Sequence, residues 1–312
     1  MKKILLTGAS GFVGSHFLRH ALGQGFHVIA LTRYLRDEYF HANLEWRVAD
    51  LTIEQNWGQL LESVDVVVNI AAEITNEILI QSVNYDGPLR LFNASIDAGV
   101  RRWVQLSSVG TYGPVQKGVV VEDRDDRPES RYEKSKSDFD IMLIEASKFS
   151  SIEVSIVRPS NVYGLGMRNR SIEQLLGVIS KNLFAFVGPV NASANYVHVQ
   201  DVVQALDLCV SHPNAANQIY IVSAWATIET MICGLAAGAG VNPPFRRVSF
   251  TVACWLANVM QNWSYWPLTL GRIHAMSARC SYSTGKIEKE LGWKLTVSVE
   301  DGMRQLAADL RQ

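Results

Sequence analysis

Short β-branched apolar runs alternate with amphipathic segments through the first half of the chain. The pattern predicts strands over residues 3–7, 27–32, 45–49, 65–70, 102–107 and 153–158. In Val66-Val67-Val68 the apolar character is continuous rather than alternating. That suits a strand covered on both faces, as in a parallel sheet between two layers of helix. Helical spacing is found over residues 15–24 and 88–98, the second stopped by Gly99. This alternation is that of a doubly wound α/β sheet.

Beyond Pro159 the rhythm changes. A helix is expected over 171–181, a turn-rich segment over 188–195, a helix over 201–210 and a strand over 218–222 that returns to the sheet. From about Ala226 the chain reads as helical and rich in tryptophan. There Val252, Trp255, Leu256, Val259, Met260 and Trp263 share one helical face, the pattern expected of core packing.

Thr7-Gly8-Ala9-Ser10-Gly11-Phe12-Val13-Gly14 follows the first strand and opens a helix, with the spacing G-x-x-G-x-x-G. Glycines there permit a tight turn and close approach of the backbone to a pyrophosphate. The anion then sits at a helix N-terminus, where free N–H groups and the helix dipole favour it. The expectation is a dinucleotide-binding Rossmann fold. A Rossmann unit that binds NAD carries an acidic residue at the end of its second strand, for the adenosine ribose. Here that strand ends Leu31-Thr32-Arg33-Tyr34, with no carboxylate before Asp37. Arg33, with Arg36 beside it, suits charge-assisted bonds to a 2′-phosphate, so NADP is the preferred cofactor and NAD the alternative. Asp50 and Leu51, after the third strand, are placed to touch the adenine.

Composition narrows the partners. The 312 residues are 48% hydrophobic and 19% charged, with a formal net charge of -1. This balance gives no reason to expect nucleic acid or an anionic membrane as partner. The run Ile4-Leu5-Leu6 is too short for a signal-peptide core, so the mature chain is expected to begin at Met1 and to be cytoplasmic. Asn258, Gln261 and Asn262 interrupt the most apolar stretch, which falls short of the roughly 20 apolar residues of a membrane span. Cys209, Cys233, Cys254 and Cys280 are dispersed and read as reduced thiols, not as a metal site.

Tyr132 and Lys136 are four residues apart, so on a helix the phenol and the ammonium share a face. A free tyrosine titrates near pH 10, too high for an efficient base. A lysine ammonium and a positive nicotinamide ring beside it are expected to lower that value. Upstream, Leu106-Ser107-Ser108-Val109-Gly110-Thr111-Tyr112-Gly113 follows a strand whose end presents a serine to a substrate oxygen.

With these motifs the sequence resembles the extended short-chain dehydrogenases/reductases, the NAD-dependent epimerase/dehydratases. The likeness extends through Asn69-Ile70-Ala71-Ala72, Val83-Asn84-Tyr85-Asp86-Gly87 and Arg158-Pro159-Ser160-Asn161-Val162-Tyr163-Gly164. It continues in Tyr196-Val197-His198-Val199-Gln200-Asp201-Val202, Glu290-Leu291-Gly292-Trp293 and Val299-Glu300-Asp301-Gly302. It implies Tyr132 as general acid/base and Lys136 as its tuner and the holder of the nicotinamide ribose. It selects Ser108, four residues before Tyr112, over Ser107. Ala71 and Ala72 would form a wall against the cofactor, with Asn84, Pro159 and Asn161 near the nicotinamide. His198 matches a structural position. Glu133 and Lys134 are read as exposed helix residues.

The resemblance also implies a small-molecule substrate and a homodimer through the helices around residues 88–98 and 132–147. Dehydratases of the family place Asp-Glu after the catalytic serine or threonine, where this chain has Val109 and Gly110, so dehydration is not expected. A nucleotide-sugar ketoreductase or 4-epimerase remains. Ala194 stands where nucleotide-sugar members often carry a diphosphate-binding arginine, leaving Arg168, Arg170, Arg272 or Arg279 to substitute. The tryptophan-rich tail is similar to the 3β-hydroxysteroid dehydrogenase and dihydroflavonol reductase branch, which makes reduction of an apolar ketone the alternative. A non-catalytic cofactor-binding sensor or scaffold is a third reading. The expected organisation is a core of residues 1–165, with 195–225 returning to it, and a smaller substrate-binding region of 166–194 and 226–312.

Overall fold

The computed structural model describes residues 2–34, 40–260, 273 and 276–311. β1 (Lys3–Thr7), β2 (His27–Thr32), β3 (Leu44–Val48), β4 (Val66–Asn69) and β5 (Arg102–Leu106) belong to one seven-stranded sheet. β6 (Lys117–Val120) lies outside it, while β7 (Glu153–Pro159) and, after a long excursion, β11 (Gln218–Val222) complete it. The spatial order is β11-β7-β5-β4-β1-β2-β3, with every pairing parallel.

Alternate residues of these strands enter different cores, as side chains of successive strand residues point to opposite faces. Ile4, Leu6, Val28 and Val104 pack with Phe17 of α1 (Phe12–Gly23) and Val202 and Leu206 of α7 (Val199–Ser211). Leu5, Ile29 and Val67 pack with Leu91 and Phe92 of α4 (Gly87–Asp97) and Phe139 and Leu143 of α5 (Arg131–Ser147). Both faces are covered, which is why Val66-Val67-Val68 shows no alternation. The shorter α2 (Trp57–Leu60) and α3 (Glu77–Gln81) lie between these elements in the chain.

A second region is built on its own core of Tyr163, Ile172, Leu176, Leu235, Met303 and Leu306. It joins β8 (Asn161–Tyr163), β10 (Ser193–His198) and β12 (Ala224–Thr227) in a three-stranded sheet. α6 (Ser171–Ser180), α8 (Ile228–Ala239) and α11 (Val299–Asp309) pack around it. α8 and α11 approach so closely that a Cβ at Gly234 or Gly238 would collide with the carbonyls of Glu300 and Arg304. β9 (Phe186–Val187) pairs with β13 (Arg247–Val248), and β14 (Arg279–Tyr282) with β6. α9 (Phe250–Met260) and α10 (Gly285–Leu291) complete the described elements.

The main-sheet strands fall within a residue or so of the expected bounds. Three differences have physical causes. α1 starts at Phe12, because the glycine loop turns tightly enough to release the chain into helix at once. The segment expected to be turns ends in β10, whose short inward residues Ala194 and Val197 are buried. The apolar stripe of α9 is not core: Val252, Trp255 and Val259 are exposed, while Ala253 and Ala257 pack on Val187 and Ile273. Two small residues let the helix lie close on that side, leaving the large ones outside. The side chains of Leu256 and Met260, and all of Trp263, fall outside the described residues.

The C-terminal segment is tied down by one buried carboxylate. Asp201 accepts from Thr296 N at 2.8 Å, Thr296 Oγ1 at 2.5 Å and Val297 N at 3.3 Å, while its backbone carbonyl accepts from Trp293 Nε1 at 3.0 Å. Asp201→Ala strands the Thr296 and Val297 donors while the backbone bond from Trp293 remains, so a loss of about 2–4 kcal/mol is expected, read by urea denaturation.

Candidate active site

The glycine loop fits a dinucleotide phosphate on steric grounds. Gly8 has φ +68°, and a Cβ there would lie 2.7 Å from Ala71 N. A Cβ at Gly14 would strike the Gly8 carbonyl oxygen. Gly11 N donates to Gly8 O at 2.8 Å, closing the turn. α1 then begins with no side-chain cap and no acidic residue in its first turn. Its first N–H groups are left for an anion.

From this loop a buried polar chain crosses the carboxyl ends of three strands. Thr7 Oγ1 donates to Asn69 Oδ1 at 2.6 Å and accepts from Ile70 N and Ala71 N, each at 3.1 Å. Asn69 Nδ2 donates to Gln105 Oε1 at 2.9 Å, and Gln105 Nε2 donates to Leu106 O at 3.0 Å. The same Leu106 carbonyl accepts from Lys136 Nζ at 2.9 Å. Lys136, 2% exposed, is thus held at the end of β5.

α5 turns the face that bears Lys136 to the segment after β5. Ser130 starts the helix with a capping box, its Oγ accepting from Glu133 N while Glu133 returns to the Ser130 backbone. Lys136 reaches Leu106 and Glu133 reaches Gly110 beside Ser108, and half-buried Tyr132 adjoins Glu133 one turn before Lys136. The two serines differ in their commitments. Ser107 Oγ donates to Asp140 Oδ2 at 2.7 Å and is buried. Ser108 Oγ accepts from Gly110 N at 3.0 Å and keeps its hydroxyl proton free of protein partners among the described residues.

Behind this face lies a charged cluster. Arg158 Nε donates to Asp140 Oδ2 at 2.9 Å, and its two terminal nitrogens donate to Asp126 at 2.9 and 3.0 Å. Asp140 is one turn beyond Lys136 on α5. Burial pushes the Asp140 carboxyl up, against the pull of Arg158, Ser107 and Lys136. Burial lowers Lys136 to about 8, with Asp140 opposing. Tyr132 is pushed up to about 12, by burial first and then by the Asp140 and Glu133 carboxylates. The protein groups alone therefore raise the phenol, contrary to the lowering expected from Lys136. The ammonium is turned to the Leu106 carbonyl.

A family model described as "NAD dependent epimerase/dehydratase family" matches residues 4–223. The chain belongs to this family. It is 26% identical over 325 aligned positions to a UDP-glucose 4-epimerase of Vibrio cholerae, covering 98% of this chain and 94% of that one. An N-acetyl-α-D-glucosaminyl-diphospho-ditrans,octacis-undecaprenol 4-epimerase of Escherichia coli O157:H7 is 28% identical, over 70% of this chain and 66% of that one. In fold, the chain is similar to UDP-glucuronic acid 4-epimerase from Bacillus cereus in complex with NAD, with TM-score 0.78 and 18% identity. That match covers 99% of this chain and all of the other. MoeE5 in complex with UDP-glucuronic acid and NAD gives TM-score 0.78 and 23% identity, over 99% of each chain.

As a member of the epimerase/dehydratase family the chain is an NAD(P)-dependent enzyme. The other expected cofactor residues take different positions. Phe12 and Val13 open α1 beside the glycines. Asp50 accepts from Thr52 N and Oγ1, both at 2.8 Å, and buried Leu51 abuts Gly87. Ala71 lies against Gly8, and Ala72 is exposed next to it. Arg33 is exposed past the end of β2 and has no ion-pair partner among the described residues; Arg36 lies outside them. Asn84, in a π-helical turn (Ser82–Asp86), bonds Glu73 N and O at 2.8 and 2.9 Å and Ser135 Oγ at 3.0 Å. Its amide thus joins the loop after β4 to α5. Pro159 is buried at the end of β7, and exposed Asn161 donates to Asn195 O at 3.1 Å.

His198 caps α7, its Nδ1 accepting from Gln200 N at 3.4 Å, and its ring packs edge-on to Tyr163. Of the arginines considered for a diphosphate, Arg170 pairs with Glu173, Arg279 donates to Val190 O and Arg168 is exposed, while Arg272 lies outside the described residues. Sequence reasoning missed Gln105, Asp126 and Asp140. Only Asp140 left a signal, a carboxylate four residues after a lysine on one helix.

Because Lys136 is lowered from 10.5 to about 8, the folded state binds fewer protons than the unfolded chain between those values. Stability contributed by this group therefore rises with pH from about 8 to about 10. Lys136→Met is expected to abolish turnover, raise stability at neutral pH by about 1–3 kcal/mol and flatten this pH dependence. Thermal melts across that range check it.

Proposed function

We propose that the chain is a nucleotide-sugar 4-epimerase in which Tyr132, Lys136 and Ser108 act on a secondary alcohol. The carrying observation is the free Ser108 hydroxyl facing the helix turn that bears Tyr132, at the strand end where Lys136 is anchored. The relatives named as 4-epimerases support the same reading. When bound, the dinucleotide supplies a hydride acceptor that returns the hydride to the sugar. Tyr132 Oη takes the proton of the sugar hydroxyl and later gives it back. Ser108 Oγ donates to the same sugar oxygen, and Lys136 holds the ribose hydroxyls. Raised by its own surroundings, Tyr132 depends on the positive nicotinamide ring to become a base near neutral pH.

Elimination of water needs a further acid and base beside the reacting carbons. Val109 and Gly110 offer neither, and Glu133, whose Oε2 caps the helix, could supply only one of the two. The apolar-ketone alternative draws no support from the α9 stripe, whose Val252, Trp255 and Val259 are exposed. In this reading residues 166–194 and 226–312 hold the sugar nucleotide on a core of 1–165, to which 195–225 return. The glycine loop suits either dinucleotide. Arg33 favours NADP, so Arg33→Asp is expected to weaken NADP binding relative to NAD by about tenfold. The reading includes a homodimer through α4 and α5, which light scattering of the purified protein tests.

Holoenzyme incubated with UDP-glucose and no added cofactor is expected to give UDP-galactose, followed by NMR. Tyr132→Phe should lower the rate by at least about a hundredfold while sparing cofactor binding. Stoichiometric consumption of added NADPH, or a dehydrated product, would replace the epimerase reading.

A further inference from the structure

Glu133 has a position that its capping role uses only in part. Its Oε2 accepts from Glu129 N at 3.0 Å and Ser130 N at 2.9 Å. Its Oε1 makes no hydrogen bond among the described residues, and neighbouring Arg131 faces Glu77 instead, at 3.5 Å. The side chain leans into the space left by the absent side chain of Gly110. A Cβ at position 110 would lie 2.9 Å from Glu133 Cγ, 3.3 Å from Glu133 Oε1 and 3.2 Å from Ser108 Oγ. The uncommitted carboxylate oxygen and the Ser108 hydroxyl therefore flank one small gap, next in sequence to Tyr132.

Ser108 binds the reacting oxygen in the function proposed above, and the following inference rests on that reading. The substituents on the carbons next to the reacting one then come within reach of Glu133. An ionised carboxylate only accepts hydrogen bonds. It satisfies a neutral sugar hydroxyl and repels a second carboxylate beside it.

We infer that Glu133 is a specificity-determining residue of the sugar site, accepting a hydrogen bond from a neutral hexose and disfavouring nucleotide sugars that carry a carboxylate. Two backbone N–H groups hold the other oxygen and so fix the orientation of the carboxyl group. Gly110 is required by the same arrangement, since any side chain there would displace Glu133.

The test compares UDP-glucose with UDP-glucuronic acid on holoenzyme, by kcat/KM and by calorimetric Kd, in wild type and Glu133→Gln. Glutamine also closes a capping box, so the variant removes the charge and keeps the helix start. An unchanged melting temperature verifies this. Wild type is expected to prefer UDP-glucose, and Glu133→Gln to narrow the preference by about tenfold or more, chiefly through a gain on the uronate. Glu133→Lys should move it further in the same direction. Turnover with the same ratio in wild type and Glu133→Gln overturns the inference alone. If wild type binds neither sugar nucleotide, the nucleotide-sugar reading falls and the inference with it.

Discussion

A lysine ammonium kept almost wholly out of water is the constraint around which this molecule is arranged. Removing such a charge from solvent costs several kcal/mol unless fixed dipoles or countercharges replace the water. Here the replacement is the Leu106 carbonyl at 2.9 Å, with Asp140 one helical turn away. That carbonyl is itself held by Gln105, and Gln105 by Asn69 and Thr7. Lysine, strand end and glycine loop are therefore one hydrogen-bonded body, and a shift in any of them disturbs the rest.

The cluster behind the helix has the same logic. Asp140 joins Ser107 to Arg158, and Arg158 reaches on to Asp126, which also accepts from Ser137 Oγ at 2.7 Å. Two buried basic side chains, Lys136 and Arg158, thus lie beside acidic partners, Arg158 bonding both Asp140 and Asp126. By consuming Ser107, the cluster leaves Ser108 as the hydroxyl at the turn. Asn84 completes the frame from the other side, pinning the loop after β4 to α5 through Glu73 and Ser135. This face of α5 is thus positioned from both ends by protein groups, which keeps the entropic cost of assembling the proposed site low.

The surface of α9 shows how far a pattern can be trusted. Its large apolar residues do share a face, as the spacing requires, but the buried side belongs to Ala253 and Ala257. Periodicity reports that residues lie together; it does not report which side of the helix meets the protein. That depends on how near the neighbouring backbone comes, and alanines allow the nearer approach.

What the sequence by itself determined is local: strand and helix periods, the glycine turn, and Tyr132 with Lys136 on one helical face. These follow from backbone geometry and nearest-neighbour spacing, which need no knowledge of distant residues. Tertiary structure alone decided which serine is committed, since Ser107 meets Asp140 across 33 positions of sequence. It also decided the direction in which Tyr132 is shifted, because burial and the Asp140 and Glu133 carboxylates raise the phenol while the lysine ammonium is turned to Leu106. Glu133, read from the sequence as an exposed helix residue, stands over Gly110 only because the fold brings a residue without a side chain beneath it. Burial, charge balance and the gaps between side chains are properties of contacts distant in the chain, and no local pattern encodes them.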